Sequence, residues 1–199
     1  STSAYDSPQG YAPGRGGFEF NPVPGMPVKE MSSLKTSPKF NSTAISHQDF
    51  IANFSDSTLL VPGTSIPINN HINPMDIVAE MRILNWNYSF SDFMAMCSLT
   101  IYNTGDQRFD DLYIGLWNNT VVRNVNITPA GAGGATFYSQ GGNGFVDSLN
   151  LAYCYDATGD EGFTDSYVGQ VFLGGEDKQG FRHPRTDSSF RVNYNAWVF

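Results

Sequence analysis

The chain has 199 residues and a formal net charge of −8, and charged residues make up only 15% of it, below the usual quarter. The few basic residues are scattered, which excludes a cationic patch for nucleic acid or for an anionic membrane surface. No apolar run approaches the roughly 18 residues that a membrane-spanning helix needs. Hydrophobic residues at 40% and aromatic residues at 14% are sufficient for one domain with a sizeable core.

Residues 1–45 are predicted to form an extended arm or linker. Proline and glycine recur along this segment, and repeated proline is incompatible with a helix or a central strand. Aromatic residues are interspersed among them, which predicts that the arm packs on its own domain, on a neighbouring domain or on another subunit. These aromatic residues are Tyr5, Tyr11, Phe18, Phe20 and Phe40.

Residues 46–199 are predicted to form one β-domain. Every second residue from Ile77 to Ile83 is apolar, and this period of two predicts a strand over residues 76–90 with a bulge near Asn85. A helix over residues 76–84 is the alternative. Residues 92–103 are predicted to return antiparallel to this strand. The chain as a whole shows about nine to eleven short strands separated by turn signals, which predicts an antiparallel β-sandwich of jelly-roll or immunoglobulin-like type.

Two glycine-rich stretches, residues 130–134 and 141–144, are predicted to be loops at the ends of hairpins. Neither is followed by the Gly-Lys-Ser/Thr signature of a phosphate-binding loop. Their glycines are therefore predicted to relieve crowding where two backbones approach closely. Further strands are predicted at residues 112–117, 121–127, 136–139, 149–155, 166–173 and 190–198.

Residues 98–117 read SLTIYNTGDQRFDDLYIGLW, an apolar strand that ends in NTG, a short polar turn and a second strand. A similar block follows at residues 151–169. This pattern resembles a recurrent β-sandwich module of large secreted or cell-surface bacterial proteins of the Bacteroidota type, which carry a C-terminal sorting domain. The resemblance covers about residues 92–174. It implies an extracellular location and an all-β architecture, and no particular reaction.

The loop DATGDEGFTD at residues 156–165 is the strongest candidate for a metal site. Its acidic residues lie on both sides of a glycine turn, and Ca²⁺ takes six to eight oxygen ligands. A solvated acidic hairpin loop is the alternative. Residues Asp106, Asp110 and Asp111 form a second acidic turn where another cation site is considered. The predicted ligands of the first site are Asp156, Thr158, Asp160, Glu161 and Asp165.

The two cysteines, Cys97 and Cys154, each fall inside a predicted strand. They do not form the Cys-x-x-Cys or Cys/His spacing of a structural zinc site. Two buried free thiols are one interpretation. A cross-strand or cross-sheet disulfide is the other, because the composition is typical of secreted proteins.

No catalytic constellation emerges from the sequence, and the chain is predicted not to be an enzyme. His47, His71 and His183 are isolated and are predicted to be surface loop residues. No serine lies in a Gly-x-Ser-x-Gly elbow, and the His-Glu-x-x-His motif is absent. The acidic residues cluster in turns and do not line one strand face, which argues against a glycoside hydrolase.

Trp86, Trp117 and Trp197 are predicted to belong to the core, with an exposed sugar-stacking platform as the alternative. Taken together, the sequence predicts an extracellular structural or adhesive module, which associates through its arm with copies of itself or with neighbouring domains of one precursor and is stabilised by calcium. A start at Ser1-Thr-Ser-Ala is typical of a processed or excised segment. The alternative function is a carbohydrate-binding or accessory module of a secreted hydrolase.

Overall fold

The strands of this protein lie in antiparallel sheets within two separate units, residues 1–115 and 116–199. The structure, a computed structural model, describes residues 18–68, 71–110, 112–116, 118, 120, 122–124, 141–157, 164–187 and 192–196. The predicted all-β antiparallel class is confirmed, whereas face-to-face packing of two sheets stays a prediction. Within the described residues, no helix is long and apolar enough to cross a membrane.

The first unit contains one five-stranded sheet in the order β1-β3-β4-β5, with β2 also paired to β3. Its two longest pairings join β3 to β4 and β4 to β5, and both are antiparallel. The strands are β1 Asn21–Pro22, β2 Lys29–Met31, β3 Gln48–Ser55, β4 Ile77–Asn85 and β5 Met96–Asn103.

Strand β4 confirms the predicted strand and excludes the helix considered as its alternative. The predicted alternation of burial holds only at its start, because Leu84 on the opposite face is also buried. Ile77 and Ala79 are buried, with 5% and 8% of their surface exposed. The strand ends at Asn85, so the prediction that it continues to residue 90 is wrong. A turn replaces the continuation: the Ser91 N–H donates to the Tyr88 carbonyl oxygen at 2.8 Å, and the Ser91 hydroxyl donates to the Trp86 carbonyl oxygen at 3.0 Å.

The described part of the predicted arm, residues 18–45, pairs with its own sheet. Lys29 lies opposite Ile51, and Met31 on the same short strand is only 2% exposed. The Ser32 hydroxyl adds a 2.6 Å hydrogen bond to the carbonyl oxygen of His47. Of the three packing partners considered for the arm, its own domain is the one that these residues contact.

Asp49, which is fully buried, ties the loop before β3 to the sheet. Its carboxylate accepts hydrogen bonds from the backbone N–H groups of Ile45 and Ser46, at 2.9 and 2.8 Å, and from the Ser46 hydroxyl at 2.5 Å. The Ser46 oxygen also accepts the Asn85 N–H at 3.0 Å. This network links the start of β3 to the end of β4.

Asp56, which follows β3, is also fully buried and holds the segment before β4. Its carboxylate accepts the backbone N–H groups of Met75 and Ile77, at 2.8 and 2.9 Å. Its carbonyl oxygen lies 2.6 Å from Nε2 of His71. His71 is only 6% exposed, so the prediction that it is a surface loop residue is wrong.

The second unit contains a three-stranded sheet in the order β6-β7-β8 and a small hairpin of β9 and β10. A 3-10 turn at Asp147–Leu149 and a left-handed Asn150, with φ of 50°, connect β6 to β7. The strands are β6 Gly141–Val146, β7 Leu151–Asp156, β8 Tyr167–Val171, β9 Gly175–Asp177 and β10 Gly180–Arg182.

Strands β7 and β8 confirm two of the later strand predictions. Residues 141–144, predicted as a glycine loop, lie within strand β6 instead, because tyrosine rings of β7 occupy the space that side chains on β6 would fill. Residues 112–116 form no regular strand. The strand predicted at residues 136–139 and most of the one predicted at residues 121–127 lie outside the described residues. Residues 192–196, the described part of the strand predicted at residues 190–198, form no regular strand.

Candidate functional site

Three tyrosines cluster on one face of the β6-β7-β8 sheet, and we call this cluster (Tyr153, Tyr155 and Tyr167) the tyrosine face. Tyr153 and Tyr155 share a face because they are two residues apart on β7, and Tyr155 lies opposite Tyr167 on β8. The ring centroids of Tyr155 and Tyr167 are 5.6 Å apart with 27° between their planes, and those of Tyr153 and Tyr155 are 6.0 Å apart with 29°. Tyr167 is 67% exposed and the other two are half-buried.

Glycines on β6 make room for these rings. Gly142 lies opposite Tyr155, and Gly144 lies opposite Tyr153. A Cβ atom at either glycine would meet a tyrosine ring at 2.5–2.6 Å, which is well inside van der Waals contact. The two rings therefore extend from β7 across the backbone of β6, and an alanine at either position would displace one of them.

The opposite face of β6 is covered by Tyr194. Its ring stacks on Phe145 with centroids 5.1 Å apart and 7° between the planes, and its hydroxyl donates to Oδ1 of Asn143 at 2.7 Å. Desolvation, helped by Cys154 and Tyr153, raises the pKa of the Tyr194 phenol. The phenol is thus neutral under physiological conditions and acts as a hydrogen-bond donor that fixes residues 192–196 against this sheet.

The predicted calcium loop is described only at its two ends. Thr158, Asp160 and Glu161 lie outside the described residues. Asp156 is buried, with 7% exposure. Its Oδ2 accepts the Thr164 N–H at 3.3 Å, whereas its Oδ1 has no hydrogen-bond partner among the described residues. Asp165 is exposed. Among the described residues, no three acidic, histidine or cysteine side chains gather closely enough to hold a metal ion.

The second acidic turn surrounds an open hollow of about 490 Å³ beside the end of β5. Asn103 shapes this turn, donating to the Gln107 carbonyl oxygen at 2.6 Å and accepting the Gly105 N–H at 3.1 Å. Asp110 is paired with Arg108 at 2.7 Å on the exposed surface, and Asp111 lies outside the described residues. Among the described residues that line the hollow, Asp106 is the one acidic residue.

Both cysteines are free thiols in the structure, and they belong to different units. Cys97 lies on β5 and is exposed, whereas Cys154 lies on β7 and is half-buried. Desolvation raises the pKa of each thiol above its ordinary value of 9.0. Both are therefore protonated at neutral pH and are weak nucleophiles.

The histidines form no nucleophile–base pair among the hydrogen bonds of the described residues. Nδ1 of His47 accepts the Asn87 N–H at 3.0 Å, and Nδ1 of His183 accepts the Arg185 N–H at 3.1 Å. The His183 ring thus stabilises a local turn, whereas the His47 ring joins the residue before β3 to the segment after β4. Of the three tryptophans considered as a platform, Trp86 is half-buried, and Trp117 and Trp197 lie outside the described residues.

Strand β5 is the open edge of the first unit's sheet. Among the described residues, no strand pairs with its outer side. Seven of its eight residues are exposed, and Ile101 is half-buried. Its sequence MCSLTIYN contains no charged residue and no proline, although natural edge strands are usually protected by such residues or by a bulge.

The tyrosine face and the roles of the two buried aspartates, Asp49 and Asp56, are not predicted from the sequence. A signal for the tyrosine face was present, because Gly-x-Gly at residues 142–144 and Tyr-x-Tyr at residues 153–155 have matching period-two spacing. Comparisons with protein-family models, with curated proteins and with solved structures found no match for this chain.

Proposed function

We propose that this chain is an extracellular structural or adhesive module of a bacterial surface or secreted protein, which associates with further copies of itself along strand β5. The observation that carries the proposal is the unprotected edge of β5, where Met96, Leu99 and Tyr102 are 39%, 48% and 49% exposed. The extracellular location is supported by the resemblance of residues 92–174 and by the low content of charged residues. The arm is a weaker candidate for the contact, because its strands β1 and β2 already pair with β3 of their own sheet.

Pairing two β5 strands antiparallel would place the same surface of both copies in contact, as a two-fold axis requires. The backbone N–H and C=O groups on the outer side of each strand would then gain partners, and the exposed apolar side chains would be shielded from water. No charged side chain within β5 opposes this approach.

The variant Thr100→Lys tests this proposal. Thr100 is exposed on β5 and lies opposite Glu80 on β4, so the new lysine gains a cross-strand partner while it places a positive charge on the edge. We expect light scattering on a sizing column to show an oligomer of the native chain, and a dissociation constant at least about tenfold higher for the variant.

Thr36→Lys is the matched control, because Thr36 is exposed in a turn of the same unit and away from β5. This variant makes the same change of charge and is expected to keep the native mass. A native chain that stays at 21.9 kDa at every concentration contradicts the proposal. So does a Thr100→Lys variant that associates as tightly as the native chain.

We also propose that the loop at residues 156–165 binds calcium and stabilises the second unit. The support is Asp156, whose Oδ1 is buried and has no hydrogen-bond partner in the part of the chain that the structure describes. A buried carboxylate oxygen that lacks a partner is costly, and a divalent cation would satisfy it. Asp165 lies at the other end of the loop and is exposed, so its carboxylate is accessible to a cation from solvent.

Calcium is expected to raise the midpoint of thermal unfolding of the native chain relative to the same chain in chelator. At a calcium concentration about 100 times the dissociation constant, bound calcium adds about 2.7 kcal/mol of stability. Asp156→Asn should remove most of this gain, whereas Asp92→Asn, in an exposed turn of the first unit, should retain it. Equal midpoints of the native chain in calcium and in chelator would exclude a calcium site.

A further inference from the structure

We propose that the tyrosine face is a binding site for a neutral glycan, whose pyranose rings stack on Tyr153, Tyr155 and Tyr167. A pyranose ring presents a face of C–H groups with hydroxyls around its rim. The C–H groups suit the electron-rich face of a phenol ring, and the hydroxyls suit the phenol O–H groups. This proposal goes beyond self-association along strand β5, because it rests on residues of the second unit alone.

The angles between the rings favour a flat ligand. The planes of neighbouring rings differ by 27° and 29°, and those of Tyr153 and Tyr167 by 50°. An aromatic cage for a cationic ligand instead surrounds the charge with rings on several sides. Neighbouring rings whose planes differ by 27° and 29°, two of which extend over the glycines of β6, offer a broad surface along which successive sugar units can lie.

The charges around the sheet favour a neutral ligand. Strands β6, β7 and β8 contain no lysine or arginine, so the sheet offers no counter-charge for a phosphate, a sulfate or a uronic acid. The net charge of −8 also repels polyanions. Asp156 is the one charged residue on these strands, and the alternation along β7 directs it to the face opposite the tyrosines.

Among the described residues, the two faces of this sheet differ in what covers them. Tyr194 stacks on Phe145 and bonds to Asn143 on the opposite face. On the tyrosine face, Gly142 and Gly144 have no side chains, and Tyr167 is 67% exposed. The Tyr167 ring on β8 is therefore the most accessible of the three to solvent, and a ligand would reach this ring first.

Isothermal titration calorimetry of the full chain with three neutral hexasaccharides tests the proposal: the β-1,4 and α-1,4 hexamers of glucose and the β-1,4 hexamer of xylose. We expect at least one hexamer to bind. Tyr167→Ala should weaken this binding at least about tenfold, and Tyr167→Phe should retain most of the affinity because it keeps the ring. Tyr113→Ala is the matched control, since Tyr113 is 88% exposed and lies outside the sheet.

Circular dichroism spectra that match the native spectrum establish that each variant is folded. Absence of binding to all three hexamers overturns the proposal, as does unchanged affinity of Tyr167→Ala. A third contrary result is a Tyr167→Ala variant whose mass in solution falls, because the tyrosine face would then be a contact with a second copy. Thr100→Lys is expected to bind the hexamer like the native chain, which separates this test from that of self-association.

Discussion

Replacing Asp56 by alanine is expected to lower the free energy of unfolding by about 4 kcal/mol. The substitution removes the acceptor of two backbone N–H groups, those of Met75 and Ile77. A buried polar group left without a partner costs about 1–3 kcal/mol, and the Ile77 residue is itself only 5% exposed. Urea denaturation followed by circular dichroism measures the loss.

Two further variants make this prediction specific. Asp56→Asn keeps one acceptor oxygen and is expected to cost about half as much. Asp110→Ala removes a carboxylate from the exposed surface, where ion pairs contribute little, and is expected to leave the unfolding midpoint almost unchanged. If Asp56→Ala lowered the free energy of unfolding no more than Asp110→Ala does, the carboxylate of Asp56 would have no part in holding the segment before β4.

The stability supplied by Asp49 is expected to disappear in acid. Burial alone raises the pKa of this carboxyl, but hydrogen bonds from the Ser46 hydroxyl and from the N–H groups of Ile45 and Ser46, with the charge of Arg82, outweigh it and hold the pKa below 3.8. A carboxyl with a lowered pKa stabilises the fold fully above its unfolded pKa, and this stabilisation is lost as the pH falls through the folded pKa. The loss is therefore confined to a pH below about 4.

The difference in unfolding free energy between the native chain and Asp49→Asn isolates this effect, because every other carboxyl is common to both. We expect a difference of about 2 kcal/mol at pH 7, since hydrogen bonds to a charged group are the stronger ones. The difference should shrink as the pH is lowered from 4 to 2 in urea titrations. A difference that stays constant over this range would mean that the native carboxyl is not ionised.

Local patterns in the sequence were sufficient to predict the strands that they generate directly. The alternation from Ile77 to Ile83 predicted strand β4, and the turn that follows it implied the antiparallel return of β5. The antiparallel all-β class follows from several such segments, because neighbouring strands joined by short turns pair in this way.

Features that depend on pairing register were not predicted. Gly142 and Gly144 look like loop residues until Tyr155 and Tyr153 are placed opposite them, and that placement is a property of two strands together. The roles of Asp49 and Asp56 depend on backbone N–H groups, up to 21 residues away in the case of Asp56 and Ile77, and no residue type in the sequence marks which N–H groups lack a partner.

The burial of Asp49 and Asp56 bears on how future alignments of relatives should be interpreted. A fold that depends on these carboxylates will tolerate few substitutions there, so both positions should be nearly invariant among homologues. Searches for catalytic acids rank invariant aspartates first, and here they would select two side chains with no solvent exposure. Both carboxylates are bound by the protein's own backbone, so invariance at these positions would be a mark of the fold and would not identify an active site.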